Sequence, residues 1–186
     1  VFCCFNQSYK ITPREWAIWM RVLDQVPGSV LWLVRFNRWA EANLRREAEA
    51  RGIAPERLVI ADHLPQAEHL ARLRHADLFL DTFNVNAHTT ASDALWMGVP
   101  LLTCLGDSFP GRVGASLARA AELPGFVAEN VAEYAARLKQ LLADPVPLAA
   151  AKKHLLERGT SLPLFDSGRF TRDWEAMLLT LVGRDG

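Results

Sequence analysis

Residues 77–96, with the sequence DLFLDTFNVNAHTTASDALW, decide the fold of this chain. They open on a short apolar run, Leu78–Leu80, which is long enough for a buried strand but too short for a helix. A polar loop follows at residues 81–87, and its two asparagines belong to a residue type that tolerates tight turns. The segment after His88 has the spacing of a helix that buries one face. The pattern predicts a strand, a loop and a helix in immediate succession.

The start of this helix has the chemistry of an anion-binding site. The first N–H groups of a helix lack intrahelical partners, and the peptide dipoles place partial positive charge there. His88, Thr89 and Thr90 add side-chain donors at the same point, and Asp93 is near enough to reach a second part of the same ligand. A structural interpretation is also open, because Thr90 and Asp93 match a capping box. Since capping leaves His88 and Thr89 unexplained and can coexist with anion binding, both interpretations stand.

Short apolar runs alternate with segments of helical spacing along the rest of the chain. Further strands are predicted at residues 2–5, 30–34, 58–60, 100–104 and 126–128. Further helices are predicted at residues 13–25, 40–51, 66–75, 112–121, 131–142, 148–158 and 168–181. Such alternation is typical of a parallel sheet that is covered by helices on both faces. We therefore predict a single α/β domain over residues 1–186, with a Rossmann-like sheet and a C-terminal helical tail.

The composition excludes several classes of function. The 21 basic and 21 acidic side chains balance, so no charge excess exists to bind nucleic acid or another polyanion. No apolar run approaches the roughly 20 residues of a membrane span. Cys3, Cys4 and Cys104 lie in strand-like runs and fit buried thiols of a reducing compartment, which predicts a cytoplasmic protein. Because the chain begins at Val1 and enters a strand at once, we expect a fragment of a longer protein.

Polar residues follow the first, third and fourth predicted strands, at the edge where ligands bind to sheets of this kind. They occupy residues 6–10, 62–69 and 84–90. Neither G-x-G-x-x-G nor G-x-x-x-x-G-K-[ST] occurs, so the ordinary dinucleotide and P-loop sites are excluded. The phosphates of a ligand would instead contact helix N-termini, hydroxyl groups and Lys10. An ordinary solvated lysine is the alternative for Lys10.

Three motifs resemble the O-linked N-acetylglucosamine transferase family, which includes the protein O-GlcNAc transferases, their bacterial homologues and the SPINDLY-type relatives. The motifs are FCCFNQSYKITP at residues 2–13, NAHTTASDALWMGVP at residues 86–100 and SLPLFD at residues 161–166. They stand in family order and at family-like spacing, and the similarity extends from Phe2 to about Trp174. The resemblance implies the donor-binding lobe of a two-lobe (GT-B) glycosyltransferase.

The resemblance assigns the diphosphate of a UDP-sugar donor to one group of residues. Gln7 and Lys10 would contact the diphosphate, and Lys10 would stabilise it as the leaving group. His88, Thr89 and Thr90 would surround the same oxygens at the start of the helix. Asp93 would complete the donor site on the same helix.

The resemblance assigns the nucleoside to a second group. The backbone of Leu64 would meet the uracil edge, and His69 and Arg72 would lie on the base side, although their spacing also fits a surface pair. Gln66 would lie near the ribose and the phosphate. Many relatives carry lysine at that position, so the exact nucleotide and sugar stay open.

The implied reaction transfers a sugar, expected to be N-acetylglucosamine, to serine or threonine hydroxyls of a protein acceptor, with inversion. No Asp-x-Asp pair occurs that could bridge a metal ion to the diphosphate, so no metal or other cofactor is expected. The general base and the acceptor site would belong to a preceding catalytic lobe, itself preceded by helical repeats. Two alternatives stay open: a non-catalytic nucleotide or nucleotide-sugar binding module, and a degenerate interaction domain.

Several other polar residues are interpreted as structural. His63, His75 and His154 have no motif partner. Asp81 is interpreted as a turn residue at the end of a strand rather than as a general base. The stripe that begins at Trp16 and Trp19 in the first helix is assigned to the core.

Overall fold

A six-stranded parallel β-sheet forms the centre of the computed structural model, which describes residues 1–183. The strand order is β3-β2-β1-β4-β5-β6, which is the order of the Rossmann fold. The predicted Rossmann-like sheet is therefore confirmed, while the last three residues of the predicted 1–186 domain lie outside the described part. The strands are β1 (Phe2–Cys4), β2 (Leu31–Val34), β3 (Leu58–Ala61), β4 (Leu78–Leu80), β5 (Leu101–Cys104) and β6 (Val127–Ala128).

Eight α-helices connect and cover the strands within residues 1–183. Each of the predicted helices is present, with shifts of one to two residues at some ends. They are α1 (Pro13–Gln25), α2 (Arg38–Glu49), α3 (Gln66–Leu73), α4 (Thr89–Trp96), α5 (Val113–Ala120), α6 (Val131–Ala143), α7 (Val146–Arg158) and α8 (Ser167–Val182). None of these described helices combines the length and the apolar character that a bilayer crossing requires.

The start of α2 differs from the prediction because of a side-chain cap. Asn37 accepts a hydrogen bond from the backbone N–H of Ala40 at 2.8 Å, so the helix begins at Arg38 rather than at residue 40. Asparagine is among the best N-cap residues, since its side-chain oxygen satisfies an otherwise unpaired N–H group. The apolar pattern used for the prediction starts only after this cap.

Helix α1 carries the predicted apolar stripe into the core. Trp16, Trp19, Met20 and Leu23 are all buried. The indole N–H of Trp19 donates to the hydroxyl of Tyr134 on α6 at 3.2 Å, which joins the two helices through a buried polar contact. The prediction that these tryptophans belong to the core is confirmed.

The position of β1 creates a crevice at one edge of the sheet. Cys3 pairs with Trp32 of β2 on one side and with Phe79 of β4 on the other. The chain moves outward from β1 to β3 and then returns to the opposite side of β1. The loops that follow β1 and β4 therefore separate at the carboxyl ends of the strands, which is where such sheets bind ligands.

The third motif, residues 161–166, packs against the domain immediately before the C-terminal helix α8. Leu162 is fully buried, and the ring of Phe165 packs edge-on against Trp96 of α4 with a centroid distance of 4.8 Å. Asp166 caps α8 by accepting a hydrogen bond from the backbone N–H of Arg169. Helix α8 itself has no buried residue.

Helix α5 lies close to the ends of β4 and β5 because it carries a glycine there. Asp81, directly after β4, is fully buried and accepts a hydrogen bond of 2.7 Å from the hydroxyl of Thr103 on β5. A Cβ atom on Gly114 would collide with Oδ2 of Asp81 and would lie 2.6 Å from Oγ1 of Thr103. Both side chains are held by hydrogen bonds and enclosed, so they have little room to move away.

We expect Gly114→Ala to destabilise the domain by about 1–3 kcal/mol, the usual cost of overpacking. This cost exceeds the gain of up to about 1 kcal/mol from replacing glycine by alanine inside a helix. Urea denaturation measures the free energy of unfolding. Gly125→Ala is the matched control, because a Cβ atom there meets nothing within 4 Å. Equal stability of the two variants would contradict the expected collision.

Candidate functional site

A cleft of about 290 Å³ opens at the carboxyl ends of β1, β2 and β3, beside the first turns of α3 and α4. Seven of the ten residues predicted to bind the donor line it. The sequence predicted that the polar loops would meet at this edge, and the structure brings them together. The seven residues are Gln7, Leu64, Gln66, His69, Arg72, Thr90 and Asp93.

One wall of the cleft is built from stacked flat groups. The guanidinium of Arg72 lies over the ring of Phe5 at 5.2 Å and over the ring of Trp32 at 5.8 Å. Its Nη1 donates to the carbonyl oxygen of Asp62 at 2.6 Å, which holds it in place. This arrangement gives the wall a planar cation and aromatic rings, groups on which a nucleobase can stack.

His69 is oriented by Arg72 on the same wall. The Nε of Arg72 donates to Nδ1 of His69 at 3.1 Å, so the two side chains on α3 are joined by a hydrogen bond. Burial and the nearby Arg72 charge lower the pKa of His69. A neutral ring that accepts at Nδ1 carries its proton on Nε2. His69 thus has one nitrogen left, and that nitrogen is a hydrogen-bond donor.

Four lining residues were not predicted as part of the site: Phe5, Val34, Phe36 and His63. His63, which was interpreted as structural, is exposed on the cleft and packs edge-on against Phe36 at 5.5 Å. The position of His63 directly after β3 and next to Leu64 could have indicated in the sequence that it lines the cleft. The three apolar residues carried no such signal, because apolar residues at strand ends look like core in a sequence.

A buried carboxylate shapes the loop between β4 and α4. Oδ1 of Asp81 accepts hydrogen bonds from the backbone N–H groups of Thr82 at 2.8 Å and Ala87 at 2.7 Å. Nδ2 of Asn6 reaches the same oxygen at 3.3 Å, while Oδ2 accepts from Thr103. Burial raises the pKa of Asp81 to about 7 in spite of these hydrogen bonds. Asp81 thus stands at the end of β4 and holds the following loop through its side chain.

The capping box that was left open as the structural alternative at α4 is not formed. The helix begins at Thr89 with His88 as its N-cap, and no side chain caps it. The hydroxyl of Thr90 instead donates to Oδ1 of Asn6 at 2.8 Å, in the loop after β1. The N–H of Ala91 donates to the carbonyl oxygen of His88 at 3.1 Å. Because no side chain caps the helix, the N–H groups of Thr89 and Thr90 remain for a ligand or for solvent.

The remaining three predicted residues, Lys10, His88 and Thr89, lie beside the cleft rather than in its lining. Nζ of Lys10 donates to the carbonyl oxygen of Asn86 at 3.1 Å, which holds the ammonium against the loop that leads into α4. Nε2 of His88 is enclosed and has no hydrogen-bond partner among the described residues. Thr89 is exposed at the helix start. The three side chains border the uncapped end of α4.

A larger cavity of about 500 Å³ lies at the ends of β5 and β6, lined in part by Arg14, Asn84, Asp107 and Glu129. It contains none of the ten predicted residues. Size and converging strand-end loops therefore do not by themselves identify the site. The smaller cleft is distinguished by the seven residues that the family resemblance assigns to the donor. Within residues 1–183, no three histidine, cysteine or acidic side chains are grouped so that they could hold a metal ion.

Comparison with known proteins agrees with the motifs. The family model described as glycosyl transferase family 41 matches residues 1–174. The chain belongs to glycosyl transferase family 41. The predicted relationship to the O-GlcNAc transferases is thereby confirmed.

Two relatives illustrate the relationship of this family 41 chain. It is 38% identical over 178 residues to the UDP-N-acetylglucosamine–peptide N-acetylglucosaminyltransferase of Caenorhabditis elegans, a match that covers 96% of this chain and 16% of the relative. It is 36% identical over 176 residues to the probable UDP-N-acetylglucosamine–peptide N-acetylglucosaminyltransferase SEC of Arabidopsis thaliana, covering 94% and 18%. The family 41 chain spans less than a fifth of either relative.

A solved structure gives the same assignment for the fold. A mutant of the O-GlcNAc transferase of Thermobaculum terrenum superposes on the family 41 chain with a TM-score of 0.87 at 33% identity. The match covers 95% of this chain and 35% of that one. The predicted fold of a GT-B donor lobe is therefore confirmed.

We expect the stability of this family 41 chain to depend on pH through Asp81. Its pKa of about 7 in the folded chain lies above the roughly 3.9 of an unfolded aspartate. Between about pH 4 and pH 7 the folded chain keeps a proton that the unfolded chain releases, so stability falls as the pH rises through this window. The whole difference corresponds to on the order of 4 kcal/mol.

Urea denaturation of the unsubstituted chain and of Asp81→Asn across this window measures the effect. The variant lacks the titration, so its stability relative to the unsubstituted chain should rise with pH up to about 7. Asp107→Asn, which removes an exposed carboxylate, is the control. Parallel pH profiles for the unsubstituted chain and Asp81→Asn would contradict the assignment.

Proposed function

We propose that residues 1–186 form the donor-binding half of an inverting glycosyltransferase that works without a metal ion. The donor is a UDP-sugar, with N-acetylglucosamine as the sugar, and the acceptors are serine or threonine hydroxyls of proteins. The observation that carries the proposal is the cleft, which gathers seven of the ten residues that the family resemblance assigns to the donor. Membership of family 41 and the activity for which the relatives are named support the choice of donor and acceptor.

The uridine moiety would pack against the wall of the cleft that is made by Phe5, His69 and Arg72. The aromatic ring and the guanidinium plane offer stacking surfaces, and Nε2 of His69 offers a hydrogen-bond donor to an oxygen of the nucleoside. The backbone of Leu64 lies at the same cleft, where it can meet the edge of the base. Gln66 would contact the ribose side as an uncharged group.

The diphosphate would lie at the uncapped start of α4. The free N–H groups of the first turn and the helix dipole attract negative charge there. Lys10 adds a full positive charge, and its contact with Asn86 places that charge beside the same loop. Gln7, His88 and Thr89 would supply further hydrogen bonds. Since backbone dipoles and Lys10 carry the positive charge, we propose that no metal ion is needed for binding.

In the proposed reaction, the hydroxyl oxygen of the acceptor attacks the anomeric carbon from the side opposite the diphosphate. A bond forms between that oxygen and the carbon while the hydroxyl proton passes to the general base, and the bond from the carbon to the β-phosphate oxygen breaks. The electron pair remains on the departing UDP, whose growing charge is stabilised by Lys10 and the start of α4. Attack from the opposite side inverts the configuration of the sugar.

The acceptor site and the general base would belong to a preceding lobe of a longer chain. A hydroxyl acceptor must be held near the anomeric carbon and shielded from water for transfer to be fast. The converging loops of this domain are assigned to the donor. The relatives, which are about five times longer than the matched region, leave ample chain for such a lobe and for helical repeats.

We expect the chain to bind UDP in the presence of a chelator, as measured by calorimetry. Lys10→Ala should weaken UDP binding by on the order of 1.5–3 kcal/mol, because a charge-assisted contact to the diphosphate is lost. Uridine, which lacks the diphosphate, should bind this variant nearly as well as it binds the unsubstituted chain. Lys139→Ala is the control, since Lys139 is an exposed lysine on α6. Strict dependence of UDP binding on magnesium or manganese would refute the metal-free site.

We also expect residues 1–186 alone to transfer no sugar, because the proposed acceptor site and base lie elsewhere. The purified chain would be incubated with labelled UDP-N-acetylglucosamine and protein acceptors, alone and with the preceding lobe supplied in cis or in trans. Transfer should occur only when the lobe is present. Steady transfer by residues 1–186 alone, lost in Lys10→Ala, would place the catalytic half in this chain.

A further inference from the structure

Asn6, the residue before Gln7, uses its whole side chain to join distant parts of the site. Its Nδ2 donates to Oγ1 of Thr82 at 2.7 Å and to Oδ1 of Asp81 at 3.3 Å. Its Oδ1 accepts from the hydroxyl of Thr90 at 2.8 Å. Asn6 is only 3% exposed, so water does not compete for these hydrogen bonds.

The sheet itself does not require these contacts. Strands β1 and β4 already pair through their backbones, Phe2 with Leu78 and Cys3 with Phe79. A buried amide must also be desolvated, which costs free energy unless every hydrogen bond is made. The partners of Asn6 lie only in the loop after β4 and in the first turn of α4. The contacts therefore act on the candidate site rather than on the sheet.

We propose that Asn6 is a positioning residue of the donor site, which fixes the first turn of α4 against the end of β1 and commits the hydroxyl proton of Thr90. The inference rests on the proposed function and deepens it. It explains how two parts of the site keep a fixed relative position before a ligand binds. These parts are the loop after β1, which includes Gln7, and the start of α4. Preorganised donors of this kind need no rearrangement when charge develops on a leaving group.

The contact also assigns the role of Thr90. A threonine hydroxyl has one proton to donate and two lone pairs with which to accept. Because the proton is given to Asn6, Thr90 can offer a ligand only an acceptor oxygen or its methyl group. Thr90 lines the cleft together with the carboxylate-bearing Asp93. These two acceptors suit a hydroxyl group of the donor rather than a phosphate oxygen, and the phosphate contacts fall to Lys10 and the helix N–H groups.

Asp81 supports Asn6 and the loop that leads into α4. It binds the backbone N–H of Ala87, the residue before His88, and the amide of Asn6 at one oxygen. Its other oxygen binds Thr103 and lies beside Gly114, where a Cβ atom would collide with it. Asn6 is therefore itself held from two sides, which fits a residue whose task is to fix the position of Thr90.

The test is a coupling measurement on the 186-residue chain, with UDP and uridine as ligands in calorimetry. Asn6→Leu keeps the side-chain size and removes all three hydrogen bonds. It should weaken UDP binding about tenfold or more, with a clearly smaller effect on uridine. Thr90→Ser, which keeps a hydroxyl, should retain more UDP affinity than Thr90→Val. In the Asn6→Leu background, the difference in UDP affinity between Thr90→Ser and Thr90→Val should shrink, because only the direct contact of the hydroxyl oxygen with the ligand is left.

Ser92→Ala is the matched control, since it removes a hydroxyl from the same helix that has no contact with Asn6. UDP affinity should be unchanged in that variant. An Asn6→Leu chain that is folded and binds UDP as the unsubstituted chain does would overturn the inference. So would a difference between Thr90→Ser and Thr90→Val that is as large in the Asn6→Leu background as it is without that substitution. Failure of the unsubstituted chain to bind UDP would instead overturn the proposed function, and this inference with it.

A second measurement decides the matter if Asn6→Leu does not fold. In the unsubstituted chain, the side-chain amide protons of Asn6 should exchange slowly with solvent, and their NMR signals should shift in Thr90→Val. Addition of UDP should shift the same signals more than addition of uridine. If neither the Thr90→Val substitution nor the addition of UDP shifts these NMR signals, the positioning role is refuted.

Discussion

A single buried carboxylate, that of Asp81, connects the elements on which the candidate site depends. It lies where β1, β4 and β5 meet, and it has no ion pair among the described residues. Burying a carboxyl group without an ion pair costs free energy unless it is hydrogen-bonded, so the hydrogen bonds around Asp81 offset part of this cost. The donors come from Asn6, from Thr103 and from two backbone N–H groups. The loop before α4 consequently has one defined shape, and the start of the helix is presented without a cap.

The sheet order divides the cleft into two chemically distinct sides. The side formed by β2, β3 and α3 offers flat surfaces, in which Arg72 is pinned between aromatic rings and a backbone carbonyl. The side formed by the β4–α4 loop offers backbone N–H groups and Lys10. Because β1 separates the two sides, a ligand with an aromatic end and an anionic end can satisfy both at once. A nucleoside diphosphate is a ligand of that shape.

The sequence was sufficient to predict the elements and the edge of the sheet that carries the site. Periodicity located the strands and α1, since burial on a sheet or along a helix repeats at fixed intervals. Local patterns failed where a distant residue competed for the same group. Thr90 and Asp93 have the spacing of a capping box, but the hydroxyl of Thr90 is taken by Asn6, 84 residues earlier.

Other parts of the site carried no local signal at all. Asn6 looks like an ordinary loop residue next to Gln7, because its three partners are separated from it by most of the first half of the chain. Phe5 and Phe36 look like core residues, although they lie just beyond the ends of β1 and β2 and line the cleft. Contacts of this kind form because β4 returns to pair with β1. Sequence patterns that span only a few residues carry no information about such a distant pairing.

The central place of β1 also bears on the order in which the chain folds. Val1 and Asp77, which are hydrogen-bonded to each other at the start of β1 and β4, are 76 residues apart in sequence. At synthesis rates of about 5–20 residues per second, β1 waits roughly 4–15 seconds for β4 to be made. During that interval the edge of β1 that will pair with β4 stays open, and an open edge is a template for another chain. The strand that anchors the binding cleft is thus also the strand for which early protection during synthesis matters most.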